Sequence, residues 1–190
     1  MLSLELILKA KGLTSQGSTI EVADLSRAAI VLAVAAMDAY FTGIFAECFI
    51  PYLKKKGCNK HISDILTKAG LNVETAIELL GMERPLRRIR RLIDEYLDKR
   101  VTQKVHAIDD LFLAYGITNF SDRIQNLKKR KSLLRSIELL VGRRHMIAHE
   151  GDMNAHNRLR IIKPSEIQRR IKDLQLYIAG ADELLQKQII

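Results

Sequence analysis

Apolar residues recur along most of this 190-residue chain at spacings of three and four, the period of a helix with one buried face. The chain has only 10 Gly and 3 Pro, and Leu, Ile, Ala, Lys, Arg and Glu dominate its composition. These features predict an all-α protein, a helical bundle with additional short helices. At this length the chain is most simply one domain, residues 1–190 with a core of about 24–187. The pattern predicts helical segments at residues 24–51, 61–69, 73–80, 85–99, 107–115, 121–131, 132–149 and from 164 onwards.

Residues with cap preferences mark the ends of several segments. Asp24 is a suitable N-cap for the first long helix, and Asn72 for one of the short helices. Gly116 and Gly151 each follow the last residue of a periodic segment, where glycine commonly ends a helix. These signals predict where four helix ends lie.

The segment from Ala28 to Ile50 is almost long and apolar enough to cross a bilayer. Asp38 and Glu47 interrupt it, and an aspartate at mid-bilayer costs about 2.5–3.5 kcal/mol on insertion scales. Its many alanines also favour close packing between helices. We therefore expect a buried core helix and no membrane span.

The two cysteines and the N-terminus indicate a cytoplasmic protein. Cys48 and Cys58 have neither the number nor the spacing of a disulfide framework or a zinc site. The N-terminal residues 2–9 form a short amphipathic segment, followed by a predicted loop at 12–19. Glu5 stands where a secretory signal needs cations, so secretion is not expected.

The net charge of +9 and the pI of about 9.7 favour a polyanionic partner. Nucleic acid is the first candidate and an acidic protein the second, although many basic proteins bind neither. Aromatic residues make up 5% of the chain and Trp is absent, so stacking platforms for single-stranded bases are not expected. Contacts to RNA would then be mainly to phosphate. The residues that could make them, or that could simply form solvated faces, are Lys128, Lys129, Arg130, Arg87, Arg88, Arg91 and Arg143.

The most informative stretch is RRHMIAHEGD at residues 143–152, near the end of a predicted helix. At 100° per residue, Arg144 lies near the centre of that helix's apolar stripe, and Arg143 points about 100° away from it. A guanidinium in an apolar stripe needs a carboxylate partner or an anionic ligand. The stripe itself consists of Leu133, Ile137, Leu140, Val141, Ile147 and Ala148.

Two interpretations of this stretch do not involve RNA. His145 and His149 are four residues apart, a spacing that allows both to bind one zinc ion. Met146 stands where a zinc protease needs glutamate, and His156 is one residue too late for the longer zinc motif, so no metal is expected. Alternatively, Arg144 bridges a buried carboxylate and the histidines only interact with the helix C-terminus, as cations often do.

The third interpretation rests on a resemblance. Arg144 and His149, followed by Glu-Gly-Asp, resemble the HEPN superfamily motif, in which a histidine follows an arginine after four to six residues near the end of a long helix. The stretch is most similar to the bacterial branch associated with RiboL-PSP ribonuclease-like systems. Residues 27–40 resemble the early core helix of that branch, including Asp38 before Ala-Tyr. Arg143 also fits the looser spacing, but its position off the stripe favours Arg144.

The resemblance implies an all-α HEPN-like fold and metal-independent RNA cleavage without a cofactor, often in toxin–antitoxin or phage-defence systems. Arg144 and His149 would carry the chemistry, His145 would help to position the substrate, and Asp38 would orient Arg144. Imidazole can exchange protons near pH 7, and guanidinium can stabilise charge on phosphorus. The products would end in a 2′,3′-cyclic phosphate. The alternative is a non-catalytic RNA-binding or protein-interaction module with the same fold.

The family pairs two such motifs in a homodimer, and it implies a possible antitoxin or nucleotidyltransferase partner. Leu139 and Met146 form a second apolar strip on the predicted helix, which either faces a second copy or packs against the terminal helix. Asp38 has apolar neighbours on its helix, so it needs a cation or hydrogen-bond donors. Arg144 is one candidate partner; alternatively, Asp38 faces solvent beside Arg27.

Overall fold

The computed structural model describes residues 20–189, and within them the chain is helical, without strands. The all-α prediction is therefore confirmed. The segments predicted at 2–9 and 12–19 lie outside the described residues. The α-helices are α1 (Ile20–Lys56), α2 (Lys60–Lys68), α3 (Val73–Leu80), α4 (Pro85–Leu97), α5 (Val105–Phe112), α6 (Phe120–Leu127), α7 (Leu133–Glu150) and α8 (Pro164–Gln188). A short 3-10 helix, Leu113–Tyr115, extends α5.

Helix α1 is longer than predicted. Asp24 is not its N-cap, because the helix already includes Ile20, and the Asp24 side chain instead pairs with Arg27 one turn later at 3.0 Å. The helix also continues through Pro51 and ends at Lys56. The predicted start and end of this helix were therefore both wrong.

By length and composition alone, α1 could cross a membrane, since Val22–Lys56 includes a long, strongly apolar window. Core helices pass the same test. Six large side chains of α1 are completely buried, as a core helix requires, and they are Ile30, Val34, Met37, Phe41, Phe45 and Phe49. The opposite face of α1 is exposed at Leu32, whose side chain is 66% accessible.

The chain forms two compact units, each built from two stretches. Unit 1 comprises Met1–Met37 and Ile124–Ala181, and unit 2 comprises Asp38–Arg123 and Asp182–Ile190. Helices α1 and α8 each contribute residues to both units. The single-domain assignment stays a prediction.

Unit 2 has an aromatic core. Phe112 stacks on Phe120 with ring centroids 4.2 Å apart, and Phe45 stacks on Tyr115 at 4.8 Å. The Tyr115 hydroxyl donates to the carbonyl of Phe45. The side chains of Asn59 and Asn72 accept hydrogen bonds at the N-termini of α2 and α3, and Gly116 ends the 3-10 helix with a φ of 72°. Asn72 and Gly116 were predicted from the sequence to have these roles.

Unit 1 contains α7 and the first part of α8. Leu133, Ile137 and Leu140 of α7 are completely buried, as the stripe predicted, whereas Val141 and Ile147 are half-buried and Ala148 is exposed. Within unit 1, the buried residues of α8 are Pro164, Ile167, Asp173, Leu174, Tyr177, Gly180 and Ala181. Unit 1 also contains the end of α7, which carries the two histidines.

Candidate active site

The C-terminal end of α7 is closed by two residues with left-handed backbone. Gly151 has a φ of 61°, and its N–H donates to the carbonyl of Met146. Asp152 has a φ of 59°, and its N–H reaches the same carbonyl at 3.1 Å. Glycine adopts this conformation at little cost, and aspartate is among the few other residues that tolerate it. The Gly-Asp pair therefore turns the chain sharply away from the helix.

This turn buries the Asp152 side chain completely. One of its carboxylate oxygens, Oδ2, accepts a hydrogen bond from Arg27 Nε at 2.8 Å and another from Arg143 Nη2 at 2.9 Å. The two arginine side chains are themselves only 12% and 19% exposed. Buried charges are expected to be paired in this way, because an isolated carboxylate in the protein interior is strongly disfavoured.

The same two guanidinium groups hold the chain that returns after Asp152. Arg27 Nη2 donates to the carbonyl of Arg160 at 3.0 Å, and Arg143 Nη2 lies 3.3 Å and 3.2 Å from the carbonyls of Arg160 and Ile161. We call Arg27, Arg143 and Asp152 the arginine clamp. It connects α1, the end of α7 and the segment before α8.

The clamp changes the role expected for Arg143. As a phosphate ligand Arg143 would need a free guanidinium, but its Nη2 already donates to a carboxylate and two carbonyls. The geometry therefore assigns Arg143 to the fold of the helix end. The bridging of a buried carboxylate, which was one alternative for Arg144, is performed by its neighbour.

Arg144 has no ion pair within the part of the chain that the structure describes, and its Nε is buried without a hydrogen-bond partner there. The residue is half-buried. A guanidinium that is partly withdrawn from water and lacks a carboxylate retains its full charge for a ligand. Of the two adjacent arginines, Arg144 is the one available to bind an anion.

His145 and His149 lie one turn apart on the exposed side of α7. Their ring centroids are 4.5 Å apart, with the planes inclined by 43°. Both residues are exposed, so their imidazoles can reach a ligand from solvent. Over residues 20–189 there is no group of three or more His, Cys, Asp or Glu side chains that could hold a metal ion. The pair thus falls short of the three protein ligands that a catalytic zinc site needs.

The second apolar strip of α7 is open to solvent at its start. Leu139 is 47% exposed, and Met146 is half-buried. At Gly142, between them on the same face, the position that a Cβ would occupy has no atom of the described residues within 4 Å apart from its own helix backbone and chain neighbours. This face of α7 is accessible along the turn that leads to the histidines.

Asp38 belongs to unit 2, where it finds partners that the sequence did not predict. Its carboxylate accepts hydrogen bonds from the Thr102 backbone N–H at 2.8 Å, from the Thr102 hydroxyl, and from Gln103 Nε2 at 3.1 Å. Asp38 was expected to need a cation or donors, and it has neutral donors. The predicted pairing that would orient Arg144 is replaced by these contacts.

The other basic candidates are divided between the two units. In unit 1, Lys129 is exposed with a φ of 50°, and Arg130 pairs with Asp173 at 3.1 Å. Lys128, in the same unit, is half-buried. In unit 2, Arg91 pairs with Glu95 at 2.8 Å. The remaining candidates in unit 2 are Arg87, which is exposed, and Arg88, which is half-buried.

Charge is distributed very unequally between the units. Among the described residues, unit 1 contains 14 lysines and arginines but only 7 carboxylates, a formal charge of +7, whereas unit 2 contains 15 and 14, a charge of +1. The unit that carries Arg144 and the two histidines is therefore the one that attracts polyanions.

The model of one protein family, described as RiboL-PSP-HEPN, matches residues 2–187. The match covers almost the whole chain and includes both α1 and α7. No curated protein and no solved structure matches the chain.

Proposed function

Because the chain belongs to the RiboL-PSP-HEPN family, we propose that it is a metal-independent endoribonuclease that acts as a homodimer. The observation that carries this proposal is the contrast between two adjacent arginines. Arg143 is held by Asp152, whereas Arg144 has no ion pair among residues 20–189 and lies on the helix that exposes His145 and His149.

The proposed reaction is attack of a ribose 2′-hydroxyl on the adjacent phosphorus. His149 accepts the hydroxyl proton as a general base, the role that imidazole most often has in proton transfer. Arg144 stabilises the charge that develops on the phosphoryl oxygens, as a preorganised guanidinium does. The bond to the 5′-oxygen breaks, which leaves a 2′,3′-cyclic phosphate on one product and a 5′-hydroxyl on the other.

One reactive histidine in each chain is too few for two proton transfers at once. A homodimer supplies the second, with His149 of the partner subunit protonating the leaving oxygen. His145, whose ring lies beside that of His149, is suited to position the substrate or the second imidazole. The exposed face of α7 at Leu139 and Gly142 supports pairing of two α7 helices, since a glycine there permits close approach.

The cleavage test uses purified protein, a fluorescent single-stranded RNA and EDTA. We expect cutting in EDTA, a cyclic phosphate end, and loss of cutting in both Arg144→Ala and His149→Ala with melting temperatures unchanged. Loss of acid–base catalysis reduces rates by about 10²–10⁴-fold. Lys129→Ala is the matched control, since this exposed lysine should affect affinity alone. Binding of RNA without any cutting would instead favour the non-catalytic module.

The assembly test uses two substitutions at Gly142. Gly142→Ala should keep the dimer and stabilise the helix by up to about 1 kcal/mol, because alanine is the better helix former. Gly142→Phe should separate the two copies, since the site is open in the single chain but would be crowded in a close helix pair. Analytical ultracentrifugation measures the oligomeric state of each variant. Wild-type protein that is monomeric at every concentration would end the shared-site mechanism.

We further propose that the ribonuclease acts in the cytoplasm as a toxin or phage-defence effector, controlled by an antitoxin or a nucleotidyltransferase. Family membership and the exposed basic unit support this role. Induced expression should arrest growth, and His149→Ala should relieve the arrest. Equal toxicity of the two proteins would contradict a role that depends on cleavage.

A further inference from the structure

The segment directly after the clamp residue Asp152 forms a small hairpin, residues 153–160. Met153 and Leu159 make an isolated antiparallel bridge. At the open end of the hairpin, Arg160 N–H donates to the Asp152 carbonyl at 2.8 Å, and near the tip Asn154 N–H donates to the Arg158 carbonyl at 2.8 Å. The hairpin begins four residues after His149.

The tip is fixed by its own hydrogen bonds. The side-chain oxygen of Asn154 accepts from the backbone N–H of His156 at 2.9 Å and from that of Arg158 at 3.0 Å. Asn157 takes a left-handed φ of 55°, and its N–H donates to the Asn154 carbonyl at 3.0 Å. Asparagine is suited to both tasks, since its short amide bonds to nearby backbone and it tolerates this conformation.

The base is fixed by the arginine clamp. Arg27 and Arg143 donate to the carbonyls of Arg160 and Ile161, and Arg160 Nε donates to the carbonyl of Met153 at 3.1 Å. The hairpin is therefore attached to the same helix end that carries His149. Functional groups on loops are most effective when a rigid scaffold holds them in this way.

The hairpin presents a cation that the fold does not use. Arg158 is exposed, its backbone makes the hydrogen bonds just described, and its side chain has no ion pair over residues 20–189. His156, two residues earlier, is exposed as well. Because the ordered backbone limits where the Arg158 side chain can lie, less conformational entropy is lost when it binds a ligand.

We propose that the 153–160 hairpin is a second RNA-binding element, in which Arg158 binds a phosphate of the strand outside the scissile bond. The inference rests on the proposed RNA substrate. The formal charge of +7 on the described residues of unit 1 favours a polyanion over a protein partner. Arg158 contributes binding and has no part in proton transfer.

The experiment measures binding separately from cleavage, by fluorescence anisotropy with a 2′-O-methyl RNA that lacks the attacking hydroxyl. Arg158→Ala should weaken binding three- to tenfold. It should also reduce the slope of log affinity against log salt by about 0.7, the value for one phosphate contact on a single strand. Asn154→Ala, which removes both tip hydrogen bonds, should weaken binding in the same direction. Lys172→Ala, an exposed lysine on α8, is the matched control and should leave the slope unchanged.

The outcomes separate this inference from the ribonuclease proposal. Wild-type protein that cuts RNA while Arg158→Ala binds with unchanged affinity and slope would overturn the hairpin inference alone. A protein that never cuts RNA, yet loses affinity on Arg158→Ala, would keep the hairpin as a binding element of a non-catalytic module. If Arg158→Ala changes sedimentation rather than RNA affinity, the hairpin is a protein interface and the inference is wrong.

Discussion

Two aspartates in different regions of the molecule have carboxylates that are stabilised by different kinds of hydrogen-bond donor. Asp152, at the end of α7 in unit 1, is completely buried and receives hydrogen bonds from two arginines. Asp38, in α1 within unit 2, is half-buried and receives them from Thr102 and Gln103, which are neutral. The two carboxylates differ in how far the protein withdraws them from water. A carboxylate that retains some contact with water can be satisfied by dipoles, whereas a fully buried one needs a cation.

This difference has a consequence for the neighbouring arginines. Asp152 uses Arg143 as a counter-ion, and the adjacent Arg144 remains without one among the described residues. A structural arginine and a candidate functional arginine therefore stand side by side on α7.

The largest loss of folding stability is expected from Asp152→Asn. Asparagine tolerates a left-handed φ, so the substitution removes the charge while the backbone turn is retained. Two largely buried guanidinium groups would lose their shared counter-ion, and breaking a buried pair costs about 3–5 kcal/mol. Urea denaturation followed by circular dichroism measures the loss. A change below about 1 kcal/mol would mean that the clamp contributes little to stability.

The next largest loss of folding stability is expected when the two arginines of the clamp are replaced, first singly and then together. Arg27→Ala and Arg143→Ala should each cost about 1.5–3 kcal/mol, the range for hydrogen bonds to charged groups. Because both donate to the same oxygen, the double variant should not equal the sum of the two, and a coupling of about 0.5–3 kcal/mol is expected. Simple additivity in the double-mutant cycle would show that the two arginines act independently.

A smaller effect is expected from Asp38→Asn. The amide oxygen can still accept from the Thr102 N–H and hydroxyl, whereas the amide NH2 cannot accept from Gln103, so the loss is the charge and one hydrogen bond from a neutral donor. We expect a cost of about 1 kcal/mol, well below that of Asp152→Asn. The same denaturation experiment, performed in parallel, provides the comparison. A cost of about 3 kcal/mol or more would indicate that Asp38 has a cationic partner after all.

The sequence predicted those features whose signals are local. Asn72, Gly116 and Gly151 could be recognised as helix ends because a cap acts on the residues next to it. The predicted apolar stripe of α7 correctly identified Leu133 and Ile137 as buried residues. It did so because the helical period determines which side of the helix each side chain points to. The prediction of Asp24 as an N-cap was wrong because an aspartate inside a helix has the same local sequence pattern as an N-cap aspartate.

The partners of both aspartates could not be predicted, because they are distant in sequence. Arg27 lies 125 residues from Asp152, and Thr102 lies 64 residues from Asp38. For Asp152 a signal was present in the chain, namely an acidic residue after the helix-ending glycine and two arginines in the preceding turns. Periodicity indicates which face a residue occupies, but it does not identify the residue that meets it across the core.

The smallest loss of folding stability is expected when an ion pair near the surface of unit 1 is removed. The hydrogen bond from Arg170 is the main cause that lowers the pKa of Glu166 below its usual value, and the Glu166 side chain is 40% exposed. A carboxyl whose pKa is lower in the folded state stabilises the protein above its unfolded pKa, and this contribution is lost as pH falls through the folded pKa. Glu166→Gln should therefore reduce stability at pH 7 by less than about 0.5 kcal/mol, as for other exposed helix pairs, and should leave stability near pH 2 unchanged. Thermal melts at the two pH values, compared with those of Asp152→Asn, test this ranking. A loss at pH 7 as large as that of Asp152→Asn would show that burial does not separate the two carboxylates, and the comparison would fail.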